Sequence, residues 1–210
     1  VAAHVYHVAP EGVTKEMRRH AKVVNFGIVY GMGVSALSQN LGTSRASAQE
    51  FYDQYFVTFP KIAAYIETVK SDARKNGFTE TLFGRRRHFP NLRSHIPFMK
   101  AMAERMAVNA PLQGTAADFV KIAMIRADEA LRKAKFERRA DLLLQVHDEL
   151  IFEADDDKKF LEEFFALVKE AMCSVAKGMT GEYIPLVADV AVGKRWGEMK
   201  KMEKSKIKMQ

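Results

Sequence analysis

At about 100° per residue, the stretch from Met17 to Gly31 divides into two helical faces with opposed chemistry. Met17, Ala21, Val24 and Ile28 recur at i, i+4, i+7 and i+11, the spacing of a stripe that packs against a core. Arg18, Arg19, Lys22, Phe26 and Tyr30 fall on a separate arc roughly 120° wide, running from cations to aromatic rings. The segment must therefore lie against other elements on one side and stay open on the other. Tyr30-Gly31-Met32-Gly33 then supplies a helix stop, and its two glycines are candidate flexing points.

Two readings fit the open arc. A nucleotide wants positive charge around its phosphates and a flat apolar surface against its base, which cations and rings on one rigid helix would provide. A solvated face whose rings merely reach a neighbour would show the same spacing. Arg18 and Lys22 count toward a ligand: like charges at i, i+4 cost a helix a few tenths of a kcal/mol, roughly, unless an anion offsets them.

The 210 residues are 48% apolar, enough for one or two compact units with real cores. A net charge of +7 favours a polyanionic partner, although the lysine-rich stretch from Lys200 to Lys208 supplies part of it. Arg18-Arg19 and Arg85-Arg86-Arg87-His88 lie inside the folded region. The single cysteine, Cys173, sits in an apolar helical pattern, so an intrachain disulfide is excluded and a core thiol in a reducing compartment is expected. No apolar run approaches the roughly 18 residues of a membrane span, and no signal peptide is evident, so a soluble intracellular protein is expected. His4, His7, His20, His88, His95 and His147 have no zinc-like spacing with Cys173, and no Walker-type loop is present.

Caps and breakers predict helices over 14–29, 35–41, 45–56 after Ser44, and 61–76 between Pro60 and Gly77. A small hairpin follows, with strands 78–82 and 86–89. Helical patterns over 98–109 and 114–135 are separated by Pro111 and Gly114, which imply a kink or a fresh start. Apolar strands 142–146 and 150–154 flank a tight turn at His147-Asp148-Glu149. Asp155 to Asp157 cap a helix reaching about Ala176, and 185–192 alternates as a last strand. A helical first half and a mixed second half make the fold class α+β.

Asp148 is the one carboxylate that stands out. Turns accept Asp readily, so an ordinary polar turn explains it; so does a metal site, because Mg²⁺ takes one or two carboxylates together with substrate phosphates. Neighbouring strand residues point to opposite faces, so Asp148 and Glu149 should not grip one ion together. Asp118 at a helix start, the capping Asp155 to Asp157, and Asp189 in a strand do not present themselves as a second ligand.

Three motifs occur in order: Arg18-Arg19-x-Ala21-Lys22-x-x-Asn25-Phe26-Gly27-x-x-Tyr30-Gly31, then Gln113-Gly114-Thr115-Ala116-Ala117-Asp118, then Gln145-Val146-His147-Asp148-Glu149. Together they resemble the polymerase domain of family A DNA polymerases, the bacterial DNA polymerase I type, up to about Gly193-Lys194-Arg195-Trp196. The resemblance implies a right-hand architecture, with helical fingers over 1–97 that carry the nucleotide-binding helix 14–30. Part of the palm would occupy 98–210, with a small antiparallel sheet whose hairpin 142–154 carries the metal carboxylate.

The resemblance also implies roles. Arg18 and Lys22 would hold the incoming deoxynucleoside triphosphate and act in catalysis, Phe26 would pack on its sugar and base, and Tyr30 would lie on the template side with Arg19 nearby. Arg105, Asn109 and Gln113 would touch the minor groove of primer-template DNA, and His147 would support the primer terminus. Asp148 would bind catalytic Mg²⁺, one of two ions, with Glu149 secondary. The expected protein is a cytoplasmic, nucleoid-associated DNA polymerase of replication and repair, monomeric at full length. The family's first metal carboxylate lies in an upstream motif that these residues do not contain, so this segment is expected to be inactive alone. The alternative is a non-catalytic nucleic-acid-binding module of basic helices.

Overall fold

A computed structural model describes residues 2–6, 8–177 and 185–202. It divides into two compact units, residues 1–114 and 115–210. The first contains α1 (Ala2–Val5), α2 (Lys15–Val29), α3 (Val34–Leu41), α4 (Arg45–Thr58), α5 (Pro60–Asn76) and a hairpin of β1 (Phe78–Glu80) with β2 (Arg86–His88). The helix α6 (Pro97–Lys133) begins in it.

Local sequence accounts for these boundaries. Thr14 accepts a hydrogen bond from the Met17 amide, and Ser44 from the Ser47 amide, each satisfying a donor that a helix start leaves free. Pro60 opens α5, and Gly77 ends it at φ 79°. The stop of α2 is a Schellman motif: the Gly31 amide bonds the Ile28 carbonyl and the Met32 amide bonds the Gly27 carbonyl. Gly31 stands at φ +80°.

The α2 stripe is buried as its spacing predicts, through Ala21, Val24 and Ile28, which with Leu37, Ala48 and Tyr55 are at most 4% exposed. Val24, Ile28, Leu37, Ala48 and Tyr55 form one core between α2, α3 and α4. A second core joins Ala73, Phe89 and Leu92 to the small residues Ala103, Ala107 and Ala110 of α6.

No fresh helix starts after Pro111; α6 runs unbroken over 37 residues with Pro111 inside it. Proline removes one backbone donor, a loss that the packed alanine face of α6 can absorb. Gly114 is not a breaker either. A Cβ there would stand 2.5 Å from Thr81 Cγ2, so glycine lets the β1–β2 turn approach, and Arg85 Nη2 donates to the Gly114 carbonyl at 2.9 Å.

The second unit holds the rest of α6, β3 (Ala140–Val146), β4 (Glu149–Ala154), α7 (Lys158–Cys173) and the short pair β5 (Ala191–Val192) and β6 (Lys200–Lys201). β3 and β4 are antiparallel with Val146 opposite Glu149, and a bulge falls between Leu142 and Leu144. Asp157 caps α7 by accepting from the Phe160 amide. Leu131, Ala140, Phe160 and Phe164 form the core, with Phe136 edge-on to Phe160 at 4.9 Å and Phe152 edge-on to Phe164 at 5.3 Å. Cys173 is half-buried.

Two expectations fail here. Among the described residues, only Ala191 and Val192 of 185–192 pair as a strand, because alternation gives a strand its faces and not a partner. Asp118 lies well inside α6, buried, and not at a helix start. The α+β class holds, with three two-stranded antiparallel sheets among the described residues. Among those residues no helix is long and apolar enough to cross a membrane.

Candidate nucleotide and metal sites

The cation-to-aromatic arc of α2 is open along its length. Arg18, Arg19 and Lys22 are exposed, as are Phe26 at 46% and Tyr30 at 37%. Lys22 Nζ lies 5.8 Å from the Phe26 ring centre, and the Phe26 and Tyr30 rings are 5.9 Å apart with their planes 37° from parallel. Charge and flat surface thus form one continuous track. Among the described residues, none of the three cations has a carboxylate partner. Surface arginines and lysines commonly find acids, so three unpaired cations on one helix form a field suited to an anion of several charges.

Gly31 ties this helix to a second group. A Cβ at Gly31 would stand 2.7 Å from Arg105 Cγ, so the aliphatic stem of Arg105 packs directly on the glycine. Beside that contact, a cavity of about 400 Å³ is lined by Ile28, Gly31, Tyr52, Phe56, Glu104 and Arg105 among others. Arg74 of α5 pairs with Glu104 of α6 at 2.8 Å. Asn109 and Gln113 follow Arg105 at i+4 and i+8 on α6, which stacks the three on one side of the helix. Asn109 is half-buried, and its Oδ1 is enclosed without a hydrogen-bond partner among the described residues, whereas Gln113 is exposed. Replacing Gly31 with alanine should cost about 1–2 kcal/mol from the left-handed backbone alone, besides displacing Arg105. Thermal unfolding of the variant checks this, and an unchanged midpoint would contradict it.

In the second unit, His147 and Asp148 are the two loop residues between β3 and β4, both exposed. His147 sits at φ 53°, in the left-handed region, where the tight turn places it. Its carbonyl accepts from the Gln145 side chain, which braces the turn. Glu149 is the first residue of β4, paired with Val146, whereas Asp148 lies in the turn, so the strand alternation expected to separate the two acids does not apply to Asp148. The strand flanking this turn is less buried than its sequence suggested: Leu142, Leu143 and Leu144 are 37%, 53% and 50% exposed. Among the described residues no three His, Cys, Asp or Glu side chains gather into a metal-holding group. Asp148 offers hard carboxylate oxygens on a braced turn, a donor that fits Mg²⁺ as one of few protein ligands.

The sequence reading missed the Asn25–Tyr55 hydrogen bond at 2.7 Å and the packing of Arg105 on Gly31. Neither had a local signal beyond a glycine after a helix, since the partners lie 30 and 74 residues away.

Comparison with known proteins decides the family. The model of DNA polymerase family A matches residues 1–198. The chain belongs to this family. Among curated relatives, the thermostable DNA polymerase I of Thermus filiformis is 45% identical over 199 residues, covering 95% of this chain and 23% of the relative. DNA polymerase I of Pseudomonas aeruginosa is 41% identical over 197 residues, covering 94% and 21%. The chain thus spans between a fifth and a quarter of the length of these relatives. Among solved structures, the polymerase domain of Pol1 from M. smegmatis, in complex with DNA primer-template and dNTP, superposes with a TM-score of 0.78 at 40% identity. That match covers 83% of this family A chain and 30% of the Pol1 chain.

Proposed function

We propose that this segment is the nucleotide-binding and partial palm region of a DNA-templated DNA polymerase that extends primer 3′ ends in replication and repair. The observation that carries the reading is the unpaired Arg18–Lys22 field running into the Phe26 and Tyr30 rings on one helix. Family membership and a structural relative described with primer-template and dNTP support the same substrates.

In this reading residues 1–97 are fingers and 98–210 belong to the palm. Arg18 and Lys22 donate to the phosphates of a deoxynucleoside triphosphate and stay charged as negative charge builds on the leaving group. Phe26 packs on the sugar and base, while Tyr30, with Arg19 near it, borders the template side. Arg105, Asn109 and Gln113 read minor-groove acceptors, which all base pairs share, and so test pair geometry without testing sequence. Of the Asn109 amide, only Nδ2 donates, so that group would meet such an acceptor. His147 steadies the primer end. Asp148 holds Mg²⁺ at the hairpin tip, with Glu149 secondary. Two such ions, if held by Asp148 together with the substrate phosphates, would supply the charge that lowers the primer hydroxyl's pKa and offsets the charge of the departing pyrophosphate.

The exposed leucines of β3 support a palm sheet that is completed by strands outside these residues, where a second carboxylate would also lie. Alone, the segment should not incorporate nucleotides. The full-length protein is read as a cytoplasmic, nucleoid-associated monomer.

Primer extension by the full-length gene product tests the function. Template-directed incorporation that stops on chelation with EDTA and returns with added Mg²⁺ is the expected result. DNA binding indifferent to magnesium and to nucleotide, with no extension, would replace the polymerase by a binding module.

A further inference from the structure

We propose that Tyr55 is a positioning residue for the nucleotide face of α2, acting through its hydrogen bond to Asn25. The proposal rests on the polymerase reading of that face. The Tyr55 hydroxyl donates to Asn25 Oδ1 at 2.7 Å across 30 residues of sequence, from α4 to the middle of α2. Tyr55 is 2% exposed, and its ring is held by Phe56 at 5.5 Å and Phe59 at 5.0 Å. The phenol therefore has a fixed direction. Burial also pushes its titration up, which keeps the hydroxyl protonated and donating.

Asn25 stands where such a bond has leverage. On the helical wheel it lies within about 20° of Arg18, about 60° of Lys22 and about 40° of the buried Ala21. It marks the border between the packed stripe and the cationic arc. The apolar contacts of Val24 and Ile28 hold α2 against α3 and α4, but hydrophobic burial is non-directional and tolerates a roll about the helix axis. A hydrogen bond weakens steeply as its angle departs from linear, so it resists that roll. Among the described residues, α2 makes only one other side-chain hydrogen bond to another segment, between His20 Nδ1 and the Tyr6 hydroxyl at 3.2 Å. That bond lies more than a turn before Asn25, on a different side of the helix. The Tyr55–Asn25 bond is thus one of two that resist the roll of α2, and the one on the border of the cationic arc, so it contributes to the direction in which Arg18 and Lys22 project.

The test uses Tyr55→Phe, Asn25→Ala and the double variant in the full-length gene product, each with its unfolding midpoint, DNA affinity and nucleotide kinetics. Each single variant should raise KM for the deoxynucleotide about three- to tenfold, as expected for losing one hydrogen bond, while the Kd for primer-template changes less than about twofold. The double variant should be no worse than the poorer single, because both remove the same bond. Folded variants with unchanged nucleotide KM would overturn the proposal. So would a lower midpoint with nucleotide and DNA affinities falling together, or additive effects of the two substitutions. The parent protein separates this from the function itself: if it extends primers and the variants match it, only the Tyr55 role falls. If the parent takes up no nucleotide, both fall.

Discussion

Replacing Asp148 with alanine is expected to lower nucleotide incorporation by the full-length protein by roughly a thousandfold or more. The estimate follows from metal-held charge being worth several kcal/mol, at about 1.4 kcal/mol for each factor of ten. The side chain is exposed on a two-residue turn, and the core of its unit is built from Leu131, Ala140, Phe160 and Phe164, so stability should change by no more than about 0.5 kcal/mol. Asp148→Asn keeps the shape and removes the charge, and should fail nearly as badly. Single-turnover extension across a magnesium titration, with thermal unfolding beside it, makes the measurement. A rate within a few-fold of the parent would place the metal elsewhere.

Lys22→Ala carries the second large effect. Loss of one preorganised charge at a developing anion costs about 10²- to 10³-fold in rate. Lys22 is exposed, without a carboxylate partner among the described residues, and touches the Phe26 ring, so its removal costs the fold little and the site much. Affinity for primer-template should barely move. A variant that turns over normally would return the arc of α2 to the solvated face that its spacing equally allows. A variant that loses DNA affinity and nucleotide affinity in parallel would make Lys22 a general phosphate contact.

Much of the first unit was legible because its signals are local. Ser44 before a helix, Pro60 opening one and Gly77 ending one act through their own backbone, and each appears where it was expected. The α2 stripe was legible for a related reason: a period of 3.6 residues carries its own buried face. The His147-Asp148 turn was readable from two apolar runs and a polar gap. The fresh helix start allowed at Pro111 and Gly114 does not occur, because a breaker acts on an isolated helix, whereas α6 is packed through Ala103, Ala107 and Ala110, and Gly114 admits the neighbouring hairpin. The alternation over 185–192 was misread because strand pairing is a property of two segments.

By itself the sequence determined the family, through three ordered motifs, and with it which side chains to examine on α2, α6 and the β3–β4 turn. It also determined each element whose start and stop are chemical. The tertiary structure alone decided that Arg105 leans on Gly31, that Tyr55 grips Asn25, and that three leucines of β3 stay open. The physical reason is range: caps, turns and periodicity are energies between residues a few positions apart, whereas these contacts join residues whose separation along the chain leaves no trace in local pattern.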